Sequence, residues 1–262
     1  MMRSMWSAAA GMAVQGMNMD VIANNIANVN TTGFKKASAE FQDLLYQTIN
    51  LAGTSSSNNT SLPTGLQLGH GAKVQSVTRQ YTTGNFKTTG GRFDMAIQGD
   101  GFFQVLQADG SNAYTRDGAF AVDQNGTLVN ANGNSLVPQI TVPQDALSVT
   151  IAQDGTISVT RSAQTQPEVI GQLTLVNFIN PAGLNLLGGN LVQPTLASGD
   201  PIEGTPGLSG LGTIRQGFLE ASNVDLAEEM VNMIVGQRAY EANSKTIQTA
   251  DSMLSLVNSL KR

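Results

Sequence analysis

Few residues in this sequence could do chemistry, and each sits in a setting that gives it plainer work. Asp123, Asn125 and Gly126 begin with the spacing of a calcium loop, in which alternating oxygen ligands and a glycine turn wrap one hard cation. The bidentate Glu that closes such a loop is missing, and Asn132 stands in its place, so the stretch reads as a hairpin turn. His70 is the only histidine and lies between Gly69 and Gly71, with no nucleophile or orienting carboxylate that the sequence can put beside it. Asp94, Asp100, Asp117 and Asp123 could supply an acid/base pair, but each falls at or next to a turn, where Asp is favoured for bonding its own backbone. Gly99-Asp100-Gly101 has two glycines of a dinucleotide loop without the third or a βαβ context. With no cysteine at all, thiolate metal sites and disulfides are excluded. The expectation is a protein that is not an enzyme and takes no metal or cofactor.

Composition points the same way. The chain has 262 residues, of which 13% are charged, 40% hydrophobic and 5% aromatic, with 28 glycines. A net charge of −5 offers no basic face for phosphates, so nucleic acid is not an expected partner. No run approaches the roughly 20 apolar residues that span a bilayer, and membrane insertion is not expected. The opening "MMRSMWSAAAGMAVQGM" has the outline of a secretory signal, but Gln15, Asn18 and Asp20 interrupt it, and a helical period continues through Ala8 to Ala10.

That period belongs to the first of two long elements. Met5, Met12, Met19 and Ile26 recur at seven, with Ala8, Ile22 and Val29 in most of the companion positions three residues later. At the other end Leu226, Met233, Tyr240, Ile247 and Leu254 also recur at seven, joined by Met230 and later by Ala250 and Val257. Asp225 with Glu228 reads as a capping box, Glu229 adds charge to the first turn, and Lys261 and Arg262 suit the other end of the dipole. Between the helices the period changes to strands. Asp100-Gly101, Asp109-Gly110, Asp117-Gly118, Asn125-Gly126, Asn132-Gly133 and Asp154-Gly155 punctuate short runs of Val, Thr, Phe, Ile and Leu. The expected fold is α+β: paired terminal helices forming a coiled coil, with an inserted antiparallel β domain. Its expected segments are a helix over 1–33, a connector and extended arm over 34–80, β structure over 81–199, a return connector over 200–220 and a helix over 221–262.

Three groups of motifs carry a resemblance. "ANNIANVNTTGFKK" near the start, "AIQGDGFFQV" and "YTRDGAF" in the centre, and the closing "QGFLEASNVDLAEEMVNMIVGQRAYEANSKTIQTADSML" are similar to the rod and hook proteins of the bacterial flagellum. The segment "DLLYQTINLAGTSSSNNTSLPTGLQLGHG" resembles the distal-rod members, and proximal-rod or hook-type proteins are the alternative. The resemblance implies a structural subunit that polymerises into a straight, rigid tube, a drive shaft carrying motor torque across the periplasm to the hook. It implies a homopolymer meeting proximal rod proteins, the hook protein and hook-rod junction, the surrounding P- and L-ring proteins, a rod cap and the flagellar type III export apparatus. Export would proceed without signal cleavage, and the location would be the basal body. A secreted β-rich adhesin would account for the Asn, Gly and Thr content, but not for heptads at both ends.

On this footing the terminal helices pack subunits together, through Met5, Met12, Met19, Ile22, Ile26 and Val29 on one and Leu226, Met230, Met233, Tyr240, Ile247, Ala250, Leu254 and Val257 on the other. A helix of this kind cannot bury its seam alone, so its ordering is expected to be completed by assembly. The cluster Asn24, Asn25 and Asn28 is costly in a helix. Its amides either fix the register between close-packed helices or are solvated and cap the helix end, with Asn30 and Gly33 making the exit. The arm residues Gln47, Ile49, Leu51, Ser55, Asn58, Leu62, Pro63 and Gly65 are expected to hold the polymer straight.

Overall fold

The computed structural model describes residues 2–51, 55–57, 60–61, 64–161 and 166–260. They form two compact units, one of residues 1–27, 37–78 and 225–262, the other of residues 28–36 and 79–224.

In the first unit two helices, α1 (Met2–Ala27) and α2 (Leu226–Leu260), pack on each other. At 1.5 Å per residue they are about 39 and 52 Å long. The start of α2 is capped by Asp225, the first member of the expected capping box. The Asp225 Oδ1 accepts from the N–H groups of Ala227 at 2.9 Å and Glu228 at 3.3 Å. Lys261 and Arg262 lie outside the described residues. The end of α1 differs from expectation. The helix stops at Ala27, before Gly33, and the chain turns through Asn28 to Thr31, where the Thr31 N–H donates to the Asn28 carbonyl at 3.1 Å. The physical reason is competition: asparagine and threonine side chains offer local partners that a helical continuation would forfeit.

The expected connector after α1 contains strands. Ala37–Asp43 pairs with Ala72–Arg79, and Tyr46–Asn50 pairs antiparallel with Leu66–Gly69, with Tyr46 opposite Gly69. Ser55–Ser57 and Thr60–Ser61 continue the same excursion as a shorter pair. The arm is thus a β-hairpin ribbon.

The second unit is β-rich and antiparallel. Its nine-stranded sheet centres on Phe102–Leu106, which pairs with Asn112–Thr115 on one side and with Ser135–Val137 and Leu175–Asn177 on the other. Strand alternation divides its side chains between two clusters. Phe103 and Val105 join Met95, Ile97, Leu128 and Ile157 in the larger core, while Phe102 joins Tyr114, Val176 and Phe178. Five of the six turn glycines adopt positive φ, between 81° and 134°. Gly118 serves otherwise, because a Cβ there would lie 1.5 Å from the Met95 carbonyl oxygen. The segment expected as a return connector is part of this unit: Ile202–Gly204, Thr213–Gln216 and Phe218–Glu220 pair with Leu175–Asn177, Met95–Gln98 and Phe86–Thr88. Strands of three or four residues are too short to show periodicity, and their partners lie too far away in sequence to be anticipated.

Candidate subunit-packing surfaces

The contact between α1 and α2 is lined largely by small and polar residues. From α2 it takes Glu229, Gly236 and Ala250, all buried, with the half-buried Asn243 between them, so a line at spacing seven faces α1. From α1 come Gly11, Gln15, Met19 and Asn25. Gly11 admits the Asn243 amide so closely that a Cβ would stand 2.7 Å from its nitrogen, and Gly236 lies against Met19 and Gln15. Glycine here exchanges helix propensity for close approach.

Most of the apolar residues that marked the heptads are only partly used within the chain. Met5, Met12, Met19 and Ile26 are half-buried on α1, and Val29, half-buried too, lies beyond its end in the other unit. On α2 Met233, Ile247 and Leu254 are half-buried, whereas Leu226, Met230, Tyr240 and Val257 are exposed. Further apolar residues off the heptads are exposed as well: Trp6, at 71%, and Met17 on α1, and Val231, Ile234, Val235 and Leu256 on α2. Large apolar side chains on both helices are therefore left exposed among the described residues.

The asparagine cluster is divided by its environment. Asn25 is 1% exposed: its amide donates to the Ala37 carbonyl at 2.8 Å and to Glu229 Oε2 at 3.3 Å, and its Oδ1 accepts from the Ala37 N–H at 3.0 Å. One side chain thereby ties α1 to the first strand and to α2. Asn24 is exposed, and Asn28 Oδ1 accepts from the Thr31 hydroxyl at 3.1 Å in the turn.

On the arm Gln47, Ile49, Leu51 and Gly65 are exposed, together with the apolar Tyr46, Leu66 and Leu68. Ser55 lies in the shorter strand pair, and Asn58, Leu62 and Pro63 fall outside the described residues. A two-stranded ribbon with apolar side chains on view is marginal by itself, and neighbours would stabilise it.

Inside the β unit three of the motif stretches meet around one carboxylate that sequence reasoning passed over. Glu220, 1% exposed, accepts from Lys35 Nζ at 2.5 Å, from the Gly84 N–H at 2.9 Å and from an Arg116 guanidinium nitrogen at 3.2 Å. The Lys35 Nζ also donates to the Thr82 carbonyl, and Arg116 donates to the Gly99 carbonyl. Burial pushes the Lys35 amine below its ordinary value, Arg116 adds to the push, and Glu220 opposes it. The neighbouring residues lock the same junction. The Thr32 hydroxyl donates to Asp117 at 2.9 Å, the Gly33 N–H to the Glu220 carbonyl at 2.8 Å, and the Lys36 N–H to Asn223 Oδ1 at 2.6 Å. Gly33, at φ 67°, is required there, since a Cβ would meet the Asp117 nitrogen at 2.7 Å. "TTGFKK", "YTRDG" and "LEASN" are thus parts of one lock. The available signal was three rare charges set in apolar or turn sequence, in a chain only 13% charged.

Three of the aspartates weighed for chemistry accept bonds from nearby hydroxyl, amide or backbone donors. Asp94 accepts from the Thr89 hydroxyl, Asp117 from Thr32 and the Ala119 N–H, and Asp123 from the Asn125 amide. Among the described residues no group of three His, Asp or Glu side chains is placed to hold a metal ion, and no helix is long and apolar enough to cross a membrane.

Three family descriptions match the chain: "Flagella basal body rod protein" over residues 5–35, "Flagellar hook protein FlgE/F/G D1 domain" over 96–159 and "Flagellar basal body rod FlgEFG protein C-terminal" over 215–260. The chain is 53% identical to the flagellar basal-body rod protein FlgG of Buchnera aphidicola subsp. Acyrthosiphon pisum over 260 residues, covering 99% of this chain and 100% of that one. It is 51% identical to FlgG of Borreliella burgdorferi over 264 residues, with 100% of both covered. Likeness to the flagellar hook protein FlgE of Escherichia coli is lower, 25% over 416 aligned residues, covering 97% and 99%.

Proposed function

Since the chain belongs to the FlgG family of flagellar basal-body rod proteins, which are structural and not enzymatic, we propose that it builds the distal rod as a straight, rigid helical tube that carries torque across the periplasm to the hook. The observation that carries this is the set of large apolar side chains left exposed on both helices, including Trp6, Met17, Met230, Ile234, Val235 and Leu256. A helix pair that leaves many of its large apolar residues exposed needs other helices around it. Identical chains supply them through repeated heterologous contacts, which do not close and so make a filament. In this scheme α1 and α2 form the inner layer and the segment 34–80 braces neighbouring subunits. Ordering of the terminal helices is completed on assembly.

The subunit meets proximal rod proteins below and the hook-rod junction and hook above, with the P- and L-rings around it and a rod cap during growth. It is exported through the flagellar type III apparatus without signal cleavage, which intact-mass measurement of the exported protein checks. Electron microscopy of the full-length protein, alone and seeded with isolated basal bodies, tests the main proposal. Straight hollow tubes growing from the seeds are expected. Monomers under both conditions would overturn it.

A further inference from the structure

Beside the lock around Glu220 the β unit holds a cavity. Its volume is about 280 Å³, and Tyr81, Asp100, Phe102, Arg116, Phe178 and Ile179 line it. That is close to the lower end of the roughly 300–1,000 Å³ of small-molecule sites. Its floor is apolar. Phe102 and Phe178 are buried and meet edge to face with ring centroids 5.7 Å apart, and Tyr81 meets Phe102 in the same way at 5.4 Å. Asp100 and Ile179 are exposed and mark the open side.

Three polar groups of this lining lack hydrogen-bond partners among the described residues. Arg116 is 4% exposed; Glu220 and the Gly99 carbonyl take two of its nitrogens, but its buried Nε has no acceptor. The Asp100 carboxylate and the Tyr81 hydroxyl make no hydrogen bond. Burial raises the Tyr81 phenol above its ordinary value, with Arg79 and Arg116 opposing, so at neutral pH its hydroxyl both donates and accepts. A buried donor without an acceptor is costly, and a ligand that supplies one removes the cost. The two charged residues of the lining have opposite signs, so a charged ligand would be repelled by one of them. The complement is a neutral group that accepts at one atom, donates at a neighbouring one and carries an apolar end.

We propose that the cavity binds an uncharged saccharide through an acetamido group, whose carbonyl accepts from Arg116 Nε, whose N–H donates to Asp100 and whose methyl lies against the Phe102 and Phe178 rings. The Tyr81 hydroxyl then meets a ring hydroxyl, which donates and accepts as it does. An acetamide alone would fill only part of the cavity, and the sugar ring occupies the rest. The proposal rests on the rod assignment for its source only, since a rod crossing the periplasm meets wall glycan built of N-acetylated sugars.

The test follows the backbone amide signals of Gly101 and Phe178 by NMR in isotope-labelled, unassembled full-length protein. N-acetylglucosamine is expected to shift them with a Kd on the order of 1 mM, as befits a ligand of one ring. Glucose, which lacks the acetamido group, should bind at least roughly tenfold more weakly. Asp100→Asn and Tyr81→Phe each alter a group that has no other partner, and each should weaken the sugar at least roughly fivefold while leaving circular dichroism unchanged. Retention of preformed tubes by purified cell-wall sacculi, lost with Asp100→Asn, would make the wall the source, and sugar binding without retention would make it free saccharide. Signals unmoved by about 10 mM N-acetylglucosamine, equal affinity for glucose, or N-acetylglycinamide binding as tightly as the sugar would overturn the proposal, the last in favour of a peptide amide. Sugar binding is read on the unassembled chain, so its failure leaves the rod assignment standing. A chain that binds the sugar but forms no tubes would overturn the rod and keep the site.

Discussion

Asn25 and its neighbour Asn24 are the same residue type, one position apart in a helix, and the fold treats them oppositely. Asn25 satisfies both backbone groups of Ala37 and reaches Glu229, while Asn24 is exposed. Asn25→Leu would leave those groups buried and unsatisfied, at an expected cost on the order of 3 kcal/mol, and Asn24→Leu at its exposed position should cost less. Urea titration of the helical signal of the unassembled chain reads both. Equal losses would contradict the role assigned to Asn25. Register between subunits is a separate role proposed for these amides, and its mark would be irregular tubes from Asn24→Leu despite an unchanged monomer. The Lys35–Glu220–Arg116 cluster works at the same scale. Three charges in a dry interior are tolerated because each has partners, and their use lies in specifying one junction rather than in net stability.

Among the elements, the helix pair shows what its glycines are for. Gly11 lies so close to the Asn243 amide that a methyl group would force it to move, while a Cβ on Gly16 meets nothing within 4 Å. Gly16→Ala is therefore expected to stabilise the unassembled chain by about 0.5–1 kcal/mol, the ordinary helix-interior difference. Gly11→Ala should gain nothing. Thermal and urea melts followed by circular dichroism check both, and a larger gain from Gly11→Ala would contradict the close packing. Poorer assembly from Gly16→Ala, despite its more stable monomer, would identify Gly16 as a close approach between subunits. Element type was largely legible from pattern alone: the heptad repeats located both helices, Asp225 marked a cap, and the Asp-Gly and Asn-Gly pairs marked the turns. The end of α1 was not, because Asn28 to Thr31 can either continue a helix or leave it, and side-chain bonding decided the outcome. Nor were the short strands between Ile202 and Glu220, whose Gly- and Pro-rich surroundings look like a linker until their partners are known.

For the whole molecule, the proposed rod role rests on apolar surfaces that are exposed among the described residues. The hairpin arm belongs with these, since its exposed Tyr46, Ile49, Leu66 and Leu68 have too little sheet behind them to be stable alone. If the arm braces adjacent subunits, deleting Gln47 to Gly65 should give curved or flexible tubes in the seeded assay, seen by electron microscopy. Straight tubes from the deletion would remove the arm from that role. The sequence by itself determined the long terminal helices and the β-rich centre, because periodicity and turn chemistry act over a few residues and need no partner to be read. Only the tertiary structure decided which asparagine is buried, which charges meet at Glu220 and which large hydrophobics stay exposed. Those outcomes depend on groups such as Asn25 and Glu229, or Lys35 and Glu220, far apart along the chain, and burial is a property of the neighbours that folding supplies.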